Sequence, residues 1–229
     1  MKRPDLMVDA VAATIRERIL TGQVEYGQVL RLAPLAEELD TSITPIREAL
    51  MRLAQDGWVA HVPNRGFRVT PIRRKDVEDT YFMWATAEGE LAARAASAIT
   101  PAAVEDLRAT DADLHDLEDH HSKAAIDLNF RLHSKVHDIA CAPKLLWFAD
   151  AARRHVPLHM DATFYSVPGW HDINRYGHTS IIDAVADGDA ATARQLMGDH
   201  FLQTGDLLLT WLDSLGFWAD ETGQDSTKS

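Results

Sequence analysis

Ile46, Ala49, Leu50 and Leu53 recur at i, i+3, i+4 and i+7, and just before them Leu32, Leu35, Ala36 and Leu39 form a second, shorter stripe of the same kind. Only Asp40 and Thr41 separate the two, so a short helix, a tight turn and a second helix have to share one core. Ser42 is placed to cap the second helix by accepting from its unpaired first-turn amides. Pro45 falls in that first turn, where a missing N–H costs little. The outward face carries Thr44, Arg47, Glu48 and Met51, and Gly57 ends the helix. Trp58 to Val62 and Phe67 to Val69 then read as extended runs joined through Pro63, Asn64, Arg65 and Gly66. Upstream, Val8, Val11, Ala12, Ile15 and Ile19 predict a supporting helix ending near Gly22, followed by a polar turn from Gln23 to Val29. The expectation for residues 1–70 is three helices closed by a β-hairpin, a winged helix-turn-helix.

Thr70, Pro71 and Ile72 mark a joint, because proline stops the strand and Arg73 to Asp76 can open a new helix. Beyond it the periodicity is helical almost throughout. Segments run over 74–98, 101–120, 122–140, 144–160, 171–187 and 190–216, broken at Thr100-Pro101, a His-rich junction, Ala142-Pro143, a loop through Ser166 to Gly169, and Gly188-Asp189. Six helices of this length predict an antiparallel all-α bundle over 71–217, so the fold class is mainly α. A polar tail, 218–229, carries no functional signal.

The net charge of −12 lies entirely after residue 70, since the first 70 residues hold equal numbers of basic and acidic side chains. Phosphate contact by a balanced head would have to come from individually placed cations, with Arg31, Arg47, Arg52, Arg65 and Arg68 as candidates. Cys141 is the single cysteine, which rules out an intrachain disulfide, fits a reducing compartment, and reads as a small buried hydrophobe. No apolar run approaches the roughly 20 residues of a membrane span, and the N-terminus has no signal-peptide core. The expected setting is a soluble protein of the cytoplasm, with no membrane partner.

Polar residues set into apolar stripes are the informative part of the bundle. Asn129 and His133 stand at i and i+4 on the side of Ile126, Phe130 and Val136. His178 leads Ile181, Ile182 and Val185, and His200 sits among Ala193, Met197, Thr204 and Leu208. Each histidine alone is more often a hydrogen-bonded core residue than a ligand, whereas three with an amide oxygen fit a metal pocket between helices. Imidazole-rich sets suit a divalent ion such as Zn or Ni, and would leave positions for water or a ligand carboxylate. Arg153, Arg154 and Arg175 are cations that could pair with such a ligand. His137, His155 and His159 lie close in sequence, and Trp84, Phe130, Trp147 and Phe164 are candidate walls. Glu118 and His121 form one Glu-x-x-His word, but a di-iron site needs a second copy and further carboxylates. No nucleophile setting surrounds Cys141 or any serine, so the chain is not expected to be an enzyme.

The words SITPIREAL, RLAQDGW and NRGF, with the order of elements around them, resemble the winged helix-turn-helix of GntR-family transcription regulators over residues 8–70. That resemblance implies that the start of the second helix enters the major groove and the wing tip reaches the minor groove. By position it assigns DNA contact to Arg31, Ser42, Ile43, Thr44, Arg47, Arg65 and Gly66. Ile43 stands where the family usually has Arg, so a thymine methyl replaces guanine as its natural partner. Residues 74–215, most clearly GHTSIIDAVADGDAATARQLMGDHF, are similar to the FCD effector-binding domain of the FadR-type branch. The resemblance implies metal ligation by Asn129, His133, His178 and His200, and an effector pocket for which Arg154, Arg175, Trp84 and Phe130 are the candidates. Leu132, Ala142 and Trp84 depart from the family's usual aromatic, Asn and Arg. It further implies a homodimer on a short inverted repeat in double-stranded DNA, with repression controlled by a small-molecule effector, typically a carboxylate. The alternative is a metal- or metabolite-binding bundle whose winged domain mediates protein contacts.

Overall fold

The computed structural model describes residues 4–119, 122–156 and 167–218. His121, His159, Phe164, Ser166 and the tail from 219 onward lie outside them. The chain divides into two compact units between Arg73 and Arg74.

In the first unit, α1 (Pro4–Leu20), α2 (Leu32–Glu38) and α3 (Ile43–Gln55) surround a common core. Ile46, Ala49, Leu50 and Leu53 are buried, as their spacing requires, against Val8, Val11 and Ile15 of α1. The break between α2 and α3 is made by Asp40 at φ 46°, with the Thr41 amide donating to the Ala36 carbonyl. β2 (Val59–Val62) and β3 (Gly66–Val69) form the hairpin through Asn64 at φ 60°. Two expectations are corrected here. Val29 does not end a polar turn: Val29–Leu30 is a strand, β1, pairing antiparallel with β3 so that the sheet order is β1-β3-β2. Two residues are too few to show a period, and the pairing exists only because β3 presents a free edge. Ser42 occupies the N-cap position in an extended conformation, but its side chain makes no capping bond.

The second unit is helical throughout its described residues: α4 (Arg74–Ala98), α5 (Pro101–His115), α6 (Lys123–Ala140), α7 (Pro143–His155), α8 (Trp170–Ala186) and α9 (Ala190–Ser214). Thr100, Ser122 and Asp189 cap α5, α6 and α9 by accepting from Ala103, Ala125 and Thr192 amides. α4 is the central element, its Ala-rich face buried along α9. Small residues set that approach: a Cβ on Gly89 would lie 2.6 Å from the Arg194 carbonyl oxygen, and one on Gly205 2.6 Å from the Tyr81 ring. α5 stops at His115, five residues short of the expected end, leaving Glu118 exposed beyond it. Cys141 is exposed, not buried: it terminates α6 in the left-handed conformation at φ 47°, which turns it off the apolar stripe. Among the described residues no helix is long and apolar enough to cross a membrane.

Candidate nucleic-acid interface and metal centre

On the first unit, α3 and the hairpin enclose an open groove lined by Arg31, Arg47, Arg65 and Gly66, together with His61 and Asn64. Four of the seven residues singled out for DNA contact thus share one surface. Ser42, Ile43 and Thr44 are exposed at the start of α3, where Ile43 keeps 44% of its surface open. Arg52 is committed elsewhere, ion-paired to Asp9 of α1 at 2.5 Å. Arg68 is exposed on β3 opposite Val29 and Ala60, away from the groove lining. Sequence reasoning missed His61, whose ring packs edge-on against Phe67 at 5.2 Å, because a single exposed histidine in a strand carries no pattern. Gly66 acts first on the backbone: at φ 111°, a Cβ there would meet the Leu30 carbonyl oxygen at 2.3 Å, so only glycine lets β1 close on β3.

In the second unit, α6, α8 and α9 bring His133, His178 and His200 together. Their ring centroids are 4.9 to 5.5 Å apart, and their candidate ligand nitrogens all lie within 4.8 Å of one another. All three are buried, His178 completely. Burial pushes His133 down to about 3, aided by His200, and takes His200 down to about 4. His178 is lowered well below the ordinary imidazole range by burial and by its two neighbours. At neutral pH all three are therefore uncharged, the state that offers a lone pair to a metal. His133 Nδ1, both ring nitrogens of His178, and His200 Nδ1 have no protein hydrogen-bond partner, and neither does the buried Asn129 Oδ1. Such orphaned groups are costly unless something outside the protein satisfies them, so the donor set fits a metal ion.

A cavity of about 230 Å³ opens beside this cluster, between α4, α6, α7, α8 and α9. His133, His200 and Asn129 reach it, as do Trp84 and Phe130, expected as walls. Arg154 is not among its lining residues; Arg153, one position earlier on α7, is. Arg175 lines a separate, smaller cleft with Asn129 and Asn174. Trp147 is largely exposed, and the His155 ring folds back to the Ala151 carbonyl of its own helix. Sequence reasoning missed Glu88, buried in the cavity wall on α4. Its Oε1 accepts from Trp84 Nε1 at 3.0 Å and its Oε2 lies 2.7 Å from His137 Nε2. Burial alone would lower His137, but the hydrogen bond and charge of Glu88, with Asp150 and Asp138, outweigh it and raise His137 above its ordinary value.

The profile described as "Bacterial regulatory proteins, gntR family" matches residues 7–69, and that of the FCD domain matches residues 79–203, more than half of the chain. The chain belongs to the GntR family. Its relatives include an HTH-type transcriptional regulator in an unstable DNA locus of Streptomyces ambofaciens, 31% identical over 200 residues, covering 81% of this chain and 78% of the relative. Another, from the TAR-I ttuE-ttuC′ intergenic region of Agrobacterium vitis, is 32% identical over 98 residues, 43% of this chain. The match spans 57% of that relative's length. A solved structure described as "Lar controls the expression of the Listeria monocytogenes agr system and mediates virulence" superposes with a TM-score of 0.63 at 17% identity. That superposition covers 90% of this chain and 97% of the other, and bears on the fold alone.

As a GntR-family member with an FCD domain, the protein is a DNA-binding transcription regulator and not an enzyme. The histidine cluster and its cavity lie within the FCD portion, and the arginine-lined groove within the winged portion.

Proposed function

We propose that this GntR-family regulator is a repressor that binds a short inverted repeat as a homodimer, and that a small organic acid held beside a divalent metal in the FCD domain controls its hold on DNA. Residues 1–70 read DNA, 71–217 bind the effector and dimerise, and the setting is the cytoplasm. The observation that carries the effector reading is the cluster of neutral, buried imidazoles with unpartnered nitrogens, opening to a cavity that also presents a cation. Asn129, His133, His178 and His200 would hold Zn or Ni, and the ion would supply a Lewis-acid position for a carboxylate.

Arg153 is the counter-charge for that acid. Its Nε is buried without a hydrogen-bond partner, 3.6 Å from Asp150 Oδ1, which is an ion-pair distance but too long for a hydrogen bond. On the DNA side, Ser42, Ile43, Thr44 and Arg47 would meet base edges and phosphates in the major groove, with Arg31 beside them and Arg65-Gly66 at the wing tip. Coupling requires only that the acid favour one arrangement of the paired heads over another. The test is elemental analysis of protein purified without an affinity tag, followed by operator binding with and without candidate acids. Metal near one ion per chain and release of operator by an acid are expected. Metal-free protein whose operator affinity no acid changes would refute the effector reading.

A further inference from the structure

The α4 wall of the cavity offers acceptors, and this constrains the ligand. Glu88 is 3% exposed, yet it lines the cavity. Each of its oxygens is engaged by one neighbour, Trp84 Nε1 and His137 Nε2, so the carboxylate is locked in place with a lone pair free on each oxygen. Asp150 puts a second carboxylate on the same lining. Arg153 Nε is a buried cationic donor on the same lining without a hydrogen-bond partner.

We infer that Glu88 is the specificity-determining residue of this cavity, and that it selects a monocarboxylate carrying a hydroxyl group over both the unsubstituted acid and the dicarboxylate. The inference rests on the acid-effector reading above and deepens it. One carboxylate of the ligand answers Arg153 and the histidine cluster. A hydroxyl donates to Glu88 without adding charge to a wall that already holds the carboxylates of Glu88 and Asp150. A second ligand carboxylate would face the buried carboxylate of Glu88, where like charges repel strongly, with Asp150 adding to the negative field from the cavity rim. The rings of Trp84, Phe130, Trp170 and Phe201 line the remainder, so the body between the two groups is apolar and small.

The test uses full-length, metal-loaded protein and calorimetric titration with matched acids on two skeletons. The first set is benzoate, the three hydroxybenzoates and terephthalate; the second is propionate, lactate, 3-hydroxypropionate and malonate. On a skeleton that binds, one hydroxy acid should exceed its parent by about tenfold, and the diacid should bind about tenfold more weakly than the parent. In Glu88→Gln the amide can donate to the second carboxylate, so the ratio of diacid to parent-acid affinity should rise about tenfold, which removes the penalty on the diacid. Equal binding of parent, hydroxy acid and diacid by the unaltered protein would overturn the inference even if Glu88→Gln failed to fold. An unchanged preference in folded Glu88→Gln would also overturn it. If no acid of either set binds fully metal-loaded protein, the inference falls together with the acid-effector reading; if acids bind without discrimination, it falls alone.

Discussion

A Cβ built on Gly177 would lie 2.8 Å from His200 Nδ1. The glycine one residue before His178 therefore makes room on α8 for the imidazole arriving from α9, and a single position in α8 sets the spacing of two members of the cluster.

Gly177→Ala tests this relationship directly. In a helix interior, alanine ordinarily stabilises by about 1 kcal/mol over glycine. Here the methyl displaces the His200 ring, so metal affinity should fall about 10- to 100-fold while the metal-free protein keeps its helical content. Metal titration alongside circular dichroism separates the two, and unchanged metal affinity would remove Gly177 from this role.

Without metal, the protein should lose stability as pH falls. His133 and His200 have folded-state values of about 3 and about 4, below the ordinary imidazole value, and His178 is depressed as well. A histidine depressed in the folded state takes its proton more readily when unfolded. Its contribution is intact above the unfolded value of about 6.5 and is lost at roughly 1.4 kcal/mol per pH unit as pH drops towards the folded value. Denaturation midpoints between pH 7 and 4 should thus show a slope of several protons, and His200→Ala should reduce it.

Arg47→Ala should weaken operator binding by about 1–3 kcal/mol and reduce the salt dependence of any remaining binding by about one counterion. Arg52→Ala, which removes the Asp9 ion pair, should instead leave operator affinity close to normal. Anisotropy titrations across salt concentrations compare them, and equal losses would show that the groove does not discriminate.

Gly66→Ala puts a methyl into the Leu30 carbonyl oxygen and requires a strained backbone, at about 1–3 kcal/mol. The cost falls on the β1–β3 pairing, so operator affinity should drop while the histidine cluster binds metal normally. Loss of metal binding in the same variant would contradict a defect confined to the wing.

How much the sequence revealed depended on whether the signal was periodic. The Ile46 to Leu53 stripe and the helices of the bundle follow from spacing, because burial on one face imposes a repeat that a few residues already display. Likewise Asn129 and His133 announce themselves as polar residues inside an apolar stripe. β1 did not, since a two-residue strand has no period, and neither did Glu88, whose partners Trp84 and His137 matter only once α4 and α6 are packed.

The sequence by itself determined the order of the helices and the hairpin, the family, and the three histidines aimed at the core, because each rests on local spacing and motif. Tertiary structure alone decided that Arg153 and not Arg154 meets the cavity, that Arg175 faces a different cleft, and that Cys141 turns outward at the end of α6. Neighbouring positions on a helix differ by about 100° in direction, so which of two adjacent arginines enters a pocket depends on how the whole helix is rotated against its neighbours. That rotation is fixed by packing over the entire interface, and no short stretch of sequence contains it.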